Sequence, residues 1–184
     1  METVAEHFFA PRNVGDAHEP SFPGRASSLR CGATCRFSIQ MGESNQILEA
    51  KFKAAGCDVL IAALSQLTEL VKDKTTAEAA ALGQDEHVLL NHFESLEPDR
   101  IACTTVARDA MLRAVRAYSD AARSEWNGDD ALICTCFCIS ERTVEETIRE
   151  HGLTTVAEVT RVCYAGGGCG SCHSLIREML ESTL

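Results

Sequence analysis

Aromatic residues are scarce in this 184-residue chain, with one Trp, two Tyr and seven Phe. A core built on rings is excluded, so aliphatic helix packing has to supply it. At 45% hydrophobic residues the chain can fill one large domain or two small ones. Basic residues are also short, 17 Lys and Arg against 27 Asp and Glu. The resulting formal charge of −10 argues against nucleic acid or an anionic membrane as partner. No apolar run approaches the ~18 residues of a membrane span. The opening stretch METVAEHFFAPRNVG has neither the basic nor the apolar region of an export signal, so the expected location is the cytoplasm. Phosphate-cradling glycine loops and a Ser-His-Asp set are missing too, which leaves no ground to expect an enzyme with its own turnover.

Cysteine, by contrast, is abundant, with ten residues. In a reducing compartment so many thiols point to metal binding or redox chemistry rather than disulfides.

The first ~20 residues read as a short helix followed by a loop broken by Pro and Gly. From Arg25 to about Phe52 the residues suit strands, with CRFSIQM alternating. Leu60, Leu64, Leu67 and Val71 then recur at three and four, describing an amphipathic helix opened by Asp58. TTAEAAAL suggests a short capped helix, and a longer one is expected to begin at Cys103, with Ala107, Ala110, Met111, Ala114 and Tyr118 on one face. Residues 124–130, SEWNGDD, lack periodicity and suggest a linker between domains 1–123 and 131–184, where Trp126 is a candidate docking residue. The last segment has no lysine, holds six of the ten cysteines, and reads as three helices, SERTVEETIREHG, TTVAEVTRV and SLIREMLEST. The acids along 141–150 fit a solvated helix face, and His7 fits packing of the first helix, with His18 and His87 in solvent.

In this last segment the cysteines fall as Cys134-x-Cys136, thirty-two residues, then Cys169-x-x-Cys172. Two close pairs separated by helices can bring four thiolates together, which suits an iron–sulfur cluster or zinc; the tight CxC bite is less usual for zinc. Gly166, Gly167 and Gly168 are expected to adopt positive φ and aim N–H groups at anionic sulfur, aided by helix N-termini near Ser140 and Ser171. His173 is a candidate for tuning such a centre by hydrogen bonding. Cys138 and Cys163 lie outside the pattern and are expected to be simply buried. Upstream, Cys31, Cys35, Cys57 and Cys103 are dispersed, but three of them stand at predicted element ends, where thiols are accessible and helix dipoles act.

The stretches ICTCF, GLTTVAEVT and AGGGCGSCH resemble the bacterioferritin-associated-ferredoxin-type [2Fe-2S] domain found in the middle of NifU proteins. That resemblance covers 131–184 and implies a small all-helical fold in which Cys134, Cys136, Cys169 and Cys172 ligate one [2Fe-2S] cluster. HFFAPRNVG, CGATC, AAGCDVLIAALSQLTELV and ACTTVARDAM resemble the NifU/IscU scaffold family over about 1–122. This implies an α+β sandwich of a small antiparallel sheet with helices, and Cys31, Cys57 and Cys103 as ligands of a transient iron–sulfur cluster or of iron or zinc.

Three positions depart from the family pattern. Ala33 stands where it has Asp, Ala102 where it has His, and LEPDR, with Arg100, where it has a Leu-Pro-Pro-x-Lys stretch. The fourth coordination position is therefore open to question. Cys35 is a candidate to fill it, although its place in a strand fits the core slightly better. By resemblance, the function implied is iron–sulfur cluster assembly. A cysteine desulfurase would supply sulfur, apo iron–sulfur proteins would receive the cluster, and the scaffold would form a homodimer. The rival is a [2Fe-2S] electron-transfer protein whose first domain only docks, and a zinc-loaded structural protein is the third reading.

Overall fold

The computed structural model describes residues 3–42, 46–93, 96–125 and 131–183; Trp126 and most of the expected linker fall outside them. Contacts divide the chain into two compact units, 1–118 and 119–184.

The first unit opens with α1 (Val4–Phe9), started by a Thr3 capping box with Glu6. Its helix buries His7, whose Nδ1 lies 2.9 Å from Ser65 Oγ. Three strands follow, β1 (Phe22–Ser27), β2 (Thr34–Met41) and β3 (Ile47–Ala55), in an antiparallel meander ordered β1-β2-β3. The register sets Phe37 opposite Phe52 and Ile39 opposite Ala50, so these side chains share the buried face. The alternate residues, Arg36, Lys51 and Lys53 among them, share the other face.

Against the buried face pack α2 (Asp58–Leu70) and α4 (Pro98–Glu125), with α3 (Thr76–Gln84) between them in sequence. Leu60, Leu64 and Leu67 of α2 are fully buried, as the sequence spacing predicts, and each contributes roughly 1.5–3 kcal/mol by leaving water. Ala107, Ala110, Met111 and Ala114 form the buried stripe of α4. Small residues there allow close approach: a Cβ on Gly24 of β1 would stand 2.0 Å from the Ala110 carbonyl oxygen. The helix starts at Pro98, earlier than the sequence reading placed it. Proline suits a first helical position because its missing N–H has no partner there. Cys103 therefore lies inside α4 and does not open it.

The second unit holds the last residues of α4, a two-stranded ribbon of β4 (Leu132–Cys134) and β5 (Ile139–Ser140), and α5 (Glu141–His151), α6 (Val156–Cys163) and α7 (His173–Thr183). The ribbon is an addition to the all-helical fold expected. Ser140 caps α5, and Gly152 ends it with φ of 58°. Val144, Ile148, Val159, Ile176 and Leu180 meet in a small core, leaving Glu141, Glu145, Glu146 and Glu150 exposed.

Candidate functional site

In the first unit, the ends of the sheet and helices bring three cysteines near one another. Cys57 is the N-cap of α2, and its Sγ accepts the Leu60 N–H at 3.4 Å. Cys103, one turn and a half into α4, places its Sγ 3.1 Å from that of Cys57. Burial and the neighbouring Cys57 push the Cys103 thiol up to about 12. The expectation that a helix start would acidify Cys103 is thus corrected. Cys31 stands exposed on the β1–β2 connection, where Gly32 takes φ of 72°. The Ser28 hydroxyl and the Ala33 N–H hold its thiol below the ordinary value, and Cys103 also interacts with it. Arg100 pairs with Asp58 beside this group and feels the charge of Cys57.

Cys35 belongs to the core. It is 4% exposed, with Sγ facing the carbonyls of Ala26 at 3.7 Å and Val106 at 3.8 Å. Burial raises its thiol to about 11. Ala33 is buried as well, and a Cβ on Gly56 would meet it at 2.8 Å. Ala102 is exposed on α4. Among the described residues, no three His, Cys, Asp or Glu side chains are arranged as an ion-holding group. The donors present are a close thiol pair with a third thiol beside it, a soft set suited to iron or zinc.

In the second unit the four cysteines of the CxC and CxxC pairs form two cross pairs. Cys136 Sγ lies 3.5 Å from Cys169 Sγ, and Cys172 interacts with Cys134. Cys134 and Cys172 are buried, and Cys169 is exposed. The Ser171 hydroxyl, 3.0 Å from Cys169 Sγ, with the Ser171 N–H, lowers the Cys169 thiol to about 7. Burial raises Cys172 to about 11, and the charge of Cys134 adds to it. The CxC residues sit at the β4–β5 turn, and Cys172 immediately precedes α7.

The glycine loop between the pairs is organised differently from the expectation. Gly166 and Gly170 have positive φ, 89° and 74°, but Gly167 and Gly168 do not. Gly168 is required by closeness instead, because a Cβ there would lie 2.8 Å from Cys136 Sγ. His173 serves the loop and does not reach a sulfur: its Nε2–H donates to the Gly166 carbonyl at 2.8 Å. The same imidazole occupies the space beside both left-handed glycines. Thr160 adds a hydroxyl donated to the Ala165 carbonyl at 2.7 Å. Nothing local in the sequence marks the carbonyl seven residues back as the partner of His173. Cys138 and Cys163 are half-buried, with thiols raised by burial, and Cys138 Sγ donates to the Ser119 carbonyl at 3.6 Å.

Two domain families match the chain, the NifU-like N terminal domain over residues 1–125 and the BFD-like [2Fe-2S] binding domain over 132–182. The chain is similar to the nitrogen fixation protein NifU of Nostoc sp., 32% identical over 98% of this chain and 62% of that protein. It is also similar to the iron-sulfur cluster assembly scaffold protein IscU of Azotobacter vinelandii, 36% identical over 64% of this chain and 91% of that one. Among solved structures, a candidate scaffold protein of the SUF system from Fervidobacterium islandicum AW-1 superposes with a TM-score of 0.53 at 17% identity. That match covers 62% of this chain and 95% of the other, and shows the shared fold. The chain spans about 60% of the length of the curated NifU relatives it matches. With both domains in the NifU order and the scaffold fold beneath the thiol pair, the chain belongs to the NifU-like family.

Proposed function

We propose that this chain is an iron–sulfur cluster assembly scaffold without enzymatic turnover of its own. In this reading Cys31, Cys57 and Cys103 gather iron and sulfur into a transient cluster for apo-proteins. Cys134, Cys136, Cys169 and Cys172 hold a permanent [2Fe-2S] cluster, a group that supplies one-electron chemistry. The observation that carries the reading is the 3.1 Å approach of Cys57 and Cys103 with Cys31 beside them, in a NifU-like domain. The exposed Cys31 is the entry thiol. Its thiolate attacks the terminal sulfur of a desulfurase persulfide, that S–S bond breaks as the new one forms, and the donor leaves as a thiolate. The domains take the boundaries 1–123 and 131–184, the chain works in the cytoplasm, and the scaffold assembles as a homodimer.

In the second module the protein's task is to hold and shield. Gly168 lets the loop close onto Cys136, and His173 fixes the loop through Gly166. The [2Fe-2S] electron-transfer reading is favoured by one observation: Ala33 is buried and apolar, so no carboxylate stands beside Cys31 at that position. Iron, sulfide and zinc content, with the visible spectrum, decides the matter in anaerobically purified protein before and after incubation with a cysteine desulfurase, cysteine and ferrous iron. The scaffold reading expects one [2Fe-2S] cluster at the outset and additional iron and sulfide afterwards, lost in Cys57→Ser and Cys103→Ser. No gain over the first cluster supports electron transfer, and stoichiometric zinc without sulfide overturns both.

A further inference from the structure

Three cations stand in one row across the outer face of the first unit's sheet. The antiparallel register sets Arg25 on β1 directly opposite Arg36 on β2, and Arg36 directly opposite Lys53 on β3. Side chains paired in this way share a face, and like charges so placed cost stability. Their strand neighbours Gly24, Ala26, Cys35, Phe37 and Phe52 are buried, so the row faces away from the core. Arg25 and Lys53 are exposed, and Arg36 is half-buried.

Only Asp16, among the described residues, pairs with the row. It meets Arg36 and lies 2.6 Å from Lys53 Nζ. Arg25 makes no ion pair with any described residue, and Arg36 Nε is buried with no hydrogen-bond partner among them. Three cations and one carboxylate leave an excess of positive charge, in a chain whose formal charge is −10. Further along the same face the charges are matched, Glu49 with Lys51 and with His18, each at 2.8 Å. The excess positive charge of the row thus has no partner among the described residues. A shallow depression runs along it, lined also by Thr34 and Ala55. Thr34 and Ala55 are cross-strand partners at the end of the sheet from which the chain continues to Cys57.

We propose that this row docks an acidic segment of a protein partner and sets the partner's surface beside Cys31 and Cys57. Three strands spaced ~4.8 Å apart span roughly 10 Å, a match for two or three carboxylates of an extended peptide. The row presents no aromatic ring on which a base would stack, and the chain's overall charge repels a long polyanion. The site does not depend on the thiols holding a cluster.

The test is fluorescence anisotropy of the full chain with a labelled hexaglutamate peptide, beside a labelled oligothymidylate of six nucleotides. Binding of hexaglutamate is expected, weakening as salt rises from about 50 to 200 mM. Arg25→Ala with Lys53→Ala should weaken it about tenfold, while Arg149→Ala on α5 leaves it unchanged. Thr34→Glu, an exposed substitution that places a carboxylate beside the row on the same strand, should also weaken binding without removing any residue of the row. A Cys57→Ser, Cys103→Ser chain should bind the peptide normally, which separates this result from the fate of the scaffold reading. Absence of peptide binding, equal binding by the row variants, or tighter binding of the oligonucleotide overturns the proposal.

Discussion

At the scale of single residues, the thiols divide by what surrounds each sulfur. In the reduced, metal-free chain Cys31 and Cys169 combine exposure with hydroxyl and amide donors that favour the thiolate. Cys103, Cys172 and Cys35 are pushed the other way by burial, to about 12, about 11 and about 11. Since the thiolate is the nucleophile, iodoacetamide at pH 7.5 should label Cys31 and Cys169 first. The Cys169 rate should climb as pH rises through about 7 and then level off, while Cys103 stays protonated and slow throughout. Peptide mass mapping over a time course checks the order, and early labelling of Cys103 would contradict it. The CxC and CxxC spacing made four of these residues legible as a group. Their individual reactivity was not legible, because it depends on Ser28 and Ser171 hydroxyls and on burial, which spacing does not encode. Asp58 and Arg100 illustrate the same limit: the ion pair beside Cys57 joins residues 42 apart in sequence.

At the scale of elements, the glycines separate conformational need from steric need. Gly166→Ala places a side chain at φ of 89° and within 3.0 Å of the His173 ring and Thr160, so it should lower cluster loading of the second module severalfold. Gly167→Ala has no positive φ to resist and meets the Tyr164 carbonyl oxygen at 3.2 Å, a contact relieved by a shift of a few tenths of an ångström, so its loss of loading should be smaller than that of Gly166→Ala. Visible absorption per protein after identical reconstitution compares the two; equal loss in both would mean that the positive φ is not what makes Gly166 necessary. In the first unit, Gly24 lets β1 lie directly on α4, and Gly24→Ala would force a shift of that helix. Overpacking of this kind costs ~1–3 kcal/mol, to be read as a lowered denaturant midpoint with an unchanged slope. Helix faces were legible because Leu60, Leu64 and Leu67 repeat at three and four. Pro98 is the sequence signal for the start of α4, and the three-glycine run predicts one role where the structure has two. A glycine run reports that Cβ atoms are excluded; which φ each residue takes is decided by neighbours such as His173 and Cys136.

At the scale of the whole molecule, two compact units carry thiol sets that differ in enclosure. In the second unit two of the four expected ligands, Cys134 and Cys172, are at 2% and 5% exposure, and a loop pinned by His173 and Thr160 closes over the group. In the first, Cys31 is exposed, Cys57 and Cys103 are half-buried, and the buried Ala33 offers no further donor. A centre that must be handed on has to let competing ligands reach its iron, whereas one that stays benefits from wrapping. Chelator challenge of the reconstituted full chain should therefore show two phases. Iron held by the first unit leaves rapidly to EDTA and the [2Fe-2S] spectrum of the second outlasts it by an order of magnitude or more in time, roughly what 1.4 kcal/mol of barrier supplies. Cys31→Ser should remove the fast phase alone, and Cys134→Ser the slow phase alone. A single rate common to all the iron would mean that enclosure does not distinguish the two sites, and the division into a transient and a permanent centre would have no physical basis in this chain.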